Sequence, residues 1–80
     1  MFINKTDKGT NNICGKALFE YRKKYKISQR ELADMLQLAG LDIDKNAVQR
    51  IEAGKRFVTD IEIKCLSKTL NLTYKDLLDE

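Results

Sequence analysis

The sequence predicts an all-α fold, a bundle of five helices. Three observations predict it. Proline is absent from the 80 residues. No segment alternates apolar and polar residues as a half-buried strand would. Apolar residues instead recur at spacings of three and four, the period of one helix face.

The helix starts give the elements their order. Ser28 precedes Glu31 by three residues, Thr59 precedes Glu62, and Thr73 precedes Asp76. In the first two pairs the hydroxyl can accept from the third residue's N–H while the carboxylate reaches back to the cap N–H. The shorter Asp76 makes the third a weaker box. A possible hydrophobic staple flanks each start: Ile27 with Leu32, Val58 with Ile63, and Leu72 with Leu77. Asp44 is a fourth cap, stapled by Ile43 and Val48 but without a box. Helices are therefore expected over roughly 13–26, 28–39, 44–53, 59–70 and 73–79.

Each helix offers an apolar stripe. Cys14, Leu18, Tyr21 and Tyr25 form it in the first, Leu32, Ala33 and Leu36 in the second. Val48 and Ile51 serve the third, and Ile63, Leu66 and Leu70 the fourth. Leu77 and Leu78 are expected to close the core. The polar, glycine-containing stretch 1–12, MFINKTDKGTNN, reads as a flexible arm ahead of a single domain over 13–80. A chain of this size has room for one core.

Composition narrows the function. With 42% hydrophobic and 34% charged residues the chain reads as a soluble globular protein. It carries neither a membrane-span pattern nor an export signal, so a reducing cytoplasm is expected. Cys14 and Cys65 are then small apolar residues. Histidine is absent, and with it the commonest general base and metal ligand. A CxxC pair, a phosphate loop and a nucleophile elbow are also lacking. No enzyme activity, metal, cofactor or small-molecule ligand is expected.

The net charge of +3 is unevenly placed. Residues 13–27 sum to +4 and residues 44–58 to +2, while 59–80 sum to −2. Such clustering suits one side that faces a polyanion, although charge alone fits a solvated surface equally well. The stretch DKNAVQRIEAGKR carries the sharpest pattern. On a helix its Ala47, Val48 and Ile51 share one side, while Lys45, Asn46, Gln49 and Arg50 point elsewhere.

Three segments in order, ISQRELADML, AVQRIEAGKR and VTDIEIKCLSKTLNLTYKDLL, resemble the helix-turn-helix family of Cro and the phage repressors, the XRE family. The likeness covers about residues 13–79. It implies a lambda-repressor-like five-helix DNA-binding domain whose third helix lies in the major groove of double-stranded DNA. Carried onto this sequence, Lys45, Asn46 and Arg50 would face base edges, with Gln49 on the flank between them. Arg and Lys suit guanine, and Asn and Gln suit adenine. Gln29 would contact a phosphate at the start of the second helix. Lys55 and Arg56 would grip the backbone. Arg22 and Glu52 occupy the positions of an ion pair between the first helix and the end of the third.

Two features depart from the family pattern. The segment LQLAGLDID makes the turn between the motif helices about five residues longer than the usual three or four. Gln37 stands where glycine often ends the second helix, so that helix is expected to reach Ala39 with Gly40 as a left-handed cap. Leu38, Leu41 and Ile43 would tuck the loop onto the bundle. Ala53 replaces a residue that is polar in many relatives. The expected function is sequence-specific transcriptional regulation, by a homodimer pairing through Tyr74 and Leu78 of the fifth helix. An antitoxin-like or adaptor protein, using the bundle for protein contacts, is the alternative.

Overall fold

The computed structural model describes residues 5–79, and the chain is all-helical over that span. Five helices run as α1 (Gly15–Tyr25), α2 (Gln29–Leu38), α3 (Lys45–Glu52), α4 (Asp60–Leu70) and α5 (Tyr74–Leu78). The expected ends differ by one or two residues, largely because caps had been counted into the helices. Ser28, Thr59 and Thr73 each accept from the amide three residues on, and Glu31, Glu62 and Asp76 each return a bond to the cap amide. The box at Thr73 closes on both sides despite its shorter acid. Asp44 caps α3 through its Oδ1, 2.8 Å from the Ala47 amide.

The core is a single cluster. Leu18, Leu32, Leu36, Val48, Ile51 and Leu66 are at its centre, fully shielded from solvent. α1 packs on α3 and α5, α2 on α3 and α4, and α4 on α5. Cys14 belongs to this core, and burial pushes its thiol up to about 11. Ile27, Val58 and Leu72 pack against the cluster beside the helix starts they flank.

Several expected core residues lie outside it. Tyr25 is 54% exposed, because Lys26 turns left-handed (φ 56°) directly after it and ends α1 beyond the core. Its ring rests on Tyr21, 4.6 Å between centroids. Leu78 is 44% exposed while Leu77 is buried. Neighbours on a helix point about 100° apart, so a helix this short turns only one of them inward. Leu38 is almost fully exposed, and Ile43 fills the core position in its place.

The turn between α2 and α3 is confined to residues 39–44, shorter than expected because α2 runs on to Leu38, and it has a definite structure. Gly40 (φ +93°) follows the end of α2 as its left-handed residue. Its amide donates to Gln37 O at 3.0 Å and the Leu41 amide to Leu36 O at 2.9 Å, the pattern of a Schellman cap. Gln37 Nε2 then donates to Ile43 O at 2.8 Å, fastening the far end of the loop to α2.

The stretch expected as a flexible arm is likewise held over its described part, residues 5–12; residues 1–4 lie outside the described residues. Thr6 and Thr10 close a small turn. Asn11 and Asn12 bind the end of α3: the Asn11 amide donates to Gly54 O at 2.7 Å, and Asn12 Nδ2 donates to Ile51 O at 3.1 Å. A polar sequence does not imply mobility when its amide groups find carbonyls at a helix end that have no i+4 amide within the helix.

Candidate nucleic-acid interface

α3 is anchored from below and bare above. Val48 and Ile51 are fully buried. Lys45, Asn46, Gln49 and Arg50 occupy the opposite side and are all exposed. Among the described residues none of these four side chains makes a hydrogen bond or ion pair within the chain, so their donors point to solvent. Positions i, i+1, i+4 and i+5 of a helix form one strip, which gives the four residues a shared face.

Arg22 and Glu52 join that helix to α1. Arg22 Nε lies 2.6 Å from Glu52 Oε2, and Nη2 lies 2.7 Å from Oε1, a two-pronged contact. The side chains retain 15% and 6% of their exposure, respectively. The hydrogen bond from the guanidinium to Glu52 raises the pKa of Arg22 above its ordinary value, outweighing the opposing effect of burial. Arg22 Nη1 also donates to Ile27 O at 3.2 Å, which ties in the link between α1 and α2.

Gln29 enters the same cluster. Its Nε2 donates to Glu52 Oε1 at 3.3 Å. The first residue of α2 is thereby oriented beside the α2 N-terminus, where first-turn amides lack intrahelical carbonyls and the dipole favours an anion. One carboxylate therefore gathers the end of α1, the start of α2 and the last turn of α3.

Past α3, Gly54 is left-handed (φ +75°) and turns the chain away. Its amide donates to Ile51 O and that of Lys55 to Arg50 O, at 3.0 and 2.9 Å. The Lys55 side chain is exposed and has no ion pair among the described residues. Arg56, expected with Lys55 to grip the DNA backbone, is engaged within the chain: its Nη1 lies 3.0 Å from Glu62 Oε2, an ion pair at the start of α4. Because Glu62 also completes the capping box with Thr59, Arg56 helps fix α4, and only Lys55 of the two is uncommitted.

The expected readers thus share one face, with Gln29 and Lys55 at helix ends. What sequence reasoning missed is the support from Asn11 and Asn12, and from Gly15, which lies against the Ile51 carbonyl. A glycine opening α1 was the one local signal of that close approach.

A helix-turn-helix family model matches residues 18–77, three quarters of the chain. The chain belongs to the XRE-family helix-turn-helix DNA-binding domains. Among solved structures it is similar to the restriction-modification controller protein C.AhdI from Aeromonas hydrophila, with 31% identity and a TM-score of 0.64. That match covers 80% of this chain and 86% of the other. No curated protein matches the chain. The helix-turn-helix unit comprises α2, the long turn and α3, while the Asn11–Asn12 contacts come from residues before the matched stretch. No described helix is long and apolar enough to cross a membrane.

Proposed function

We propose that this helix-turn-helix protein is a sequence-specific transcriptional regulator that places α3 in the major groove of double-stranded DNA. One observation carries the reading: four exposed hydrogen-bonding side chains, Lys45, Asn46, Gln49 and Arg50, share one unpartnered face of α3. Lys45, Asn46 and Arg50 face base edges, with Gln49 at the flank. Gln29 and Lys55 contact phosphate on either side. Arg56 reaches phosphate only by leaving or sharing Glu62. The likeness to a controller protein supports a regulatory role.

Binding to genomic DNA fragments, followed by sequencing of those retained, tests the reading directly. Enrichment of one motif is the expected result. Retention of fragments without a common motif, or of none, contradicts it. On the recovered duplex, log K should fall with log salt by about 0.9 for each phosphate neutralised. Affinity insensitive to salt would count against phosphate contact.

A dimer completes the proposal. One recognition helix reads too few base pairs to address a unique site, whereas two copies place their α3 helices about 34 Å apart on one DNA face. Ile61 is 75% exposed and Tyr74 52% exposed, and the two border one shallow cleft between α4 and α5. With Leu78 nearby on α5, this apolar surface suits a second copy of the chain. Sedimentation of the protein with its operator should give two protomers per duplex, and Ile61→Asp should reduce this to one. A monomer on a full operator would refute the dimer.

A further inference from the structure

We propose that Asn11 and Asn12 form a clasp that positions the phosphate-contacting loop after α3. They are positioning residues for DNA binding, and the proposal rests on the reading of Lys55 as a phosphate contact.

The two residues bond to the backbone of one short loop at several points. The Asn11 amide donates to Gly54 O at 2.7 Å, and Asn11 Nδ2 to Lys55 O at 2.9 Å. Asn12 Nδ2 donates to Arg56 O at 2.7 Å and to Ile51 O at 3.1 Å. Three successive carbonyls, those of Gly54, Lys55 and Arg56, are thus taken by two adjacent residues some forty positions earlier. Carbonyls held on both sides of Lys55 fix the two planar peptide units that flank its Cα, and with them the direction of its Cα–Cβ bond. That bond leads away from the bundle, and Lys55 is exposed.

The clasp is itself anchored. Asn12 Oδ1 accepts from the Gly15 amide at 3.0 Å, which ties it to the first turn of α1. Thr10 lies so close to Gly54 that an added Cβ there would sit 2.5 Å from the threonine methyl. Asn11 Oδ1 is buried with no hydrogen-bond partner among the described residues. A buried oxygen left unpaired is unfavourable, so Asn11 is held in this pose for what its nitrogens bind. A lysine on a loose loop would lose orientational freedom upon meeting phosphate, and one held in advance loses less.

The test is a double-mutant cycle between Asn12→Ala and Lys55→Ala in the full chain. Titrations on operator duplex run at two salt concentrations and at a temperature where circular dichroism shows every variant folded. Lys55→Ala should weaken binding and lower the salt slope by about one. Asn12→Ala alone should weaken binding about tenfold and lower the slope similarly, while in the Lys55→Ala background it should cost less than about twofold. A purely structural role would lower the melting temperature yet leave the slope and the coupling untouched.

Additive losses, or an Asn12→Ala protein that binds like the parent, would overturn the clasp while leaving Lys55 as a phosphate contact. A silent Lys55→Ala would instead overturn the phosphate reading, and the clasp with it. If Asn12→Ala does not fold, Asn11→Ala carries the same cycle, since it removes only the side-chain bond to Lys55 O. Its expected loss is about threefold, again abolished in the Lys55→Ala background.

Discussion

Arg22→Ala is expected to cost about 3 kcal/mol of stability, because it leaves a nearly buried carboxylate without its cation. Glu52 retains 6% of its side-chain exposure and receives two donors from Arg22. Gln29 remains as a donor at 3.3 Å, too weak to replace a charge. The residual access of water at Arg22, 15% exposed, places the loss at the lower end of the range for buried pairs. For a domain of this size that loss corresponds to a fall in melting temperature of roughly 12–24 °C. Arg22→Lys should recover part of it, since an ammonium keeps the charge but not the two-pronged geometry. Glu52 also holds the start of α2 and the end of α3, so Arg22→Ala should weaken binding to all DNA sequences alike. Thermal unfolding by circular dichroism checks the first expectation. A variant melting within about 4 °C of the parent would mean that the pair contributes little.

Gly15→Ala should be nearly as damaging, for a different reason. An added Cβ would stand 2.2 Å from the Ile51 carbonyl oxygen and 3.0 Å from Asn12 Oδ1. The first is a backbone atom at the end of α3, already engaged by the Gly54 amide and Asn12 Nδ2. It cannot swing aside, so α1 must lift from α3. Overpacking of this kind costs about 3 kcal/mol, at the high end of its usual range. Gly40→Ala is a useful contrast. It meets nothing within 4 Å, and only its left-handed backbone (φ +93°) opposes the change. The cost there should be nearer 1 kcal/mol. Equal melting temperatures for the two variants would show that α1 does not approach α3 this closely.

What could be read from the sequence was mostly local. A capping box spans four residues, so Ser28, Thr59 and Thr73 announced three helix starts before any packing was known. Val48 and Ile51 could be placed inside by period alone. The α1–α3 ion pair was implied by family resemblance, and no periodicity would have shown it. Reading failed where residues distant in sequence meet. Nothing near Asn12 indicates that its amide would serve Ile51 and Arg56, and nothing near Arg56 indicates that Glu62 would take its charge. Within the long turn, composition offered Leu38, Leu41 and Ile43 equally. The Schellman cap at Gly40 decides among them, bringing Ile43 inward and leaving Leu38 in solvent. Tyr25 shows the same limit, because the period continues through a helix end that the backbone does not.

The central claim is that α3 reads bases while the loop after it only holds the backbone, and Arg50 and Lys55 separate the two roles. Both are exposed cations near one helix end, and neither belongs to the core, so both alanine variants should melt like the parent. The decisive measurement is a titration of each variant against operator and scrambled duplex at two salt concentrations. Arg50→Ala is expected to cost about 1–3 kcal/mol on the operator, to change scrambled binding little, and to relax preference at one base pair. Lys55→Ala should weaken both duplexes about equally and reduce the salt slope by roughly one. Uniform loss for both variants would contradict the account, because it would mean that the long turn sets α3 at an angle from which Arg50 meets only phosphate.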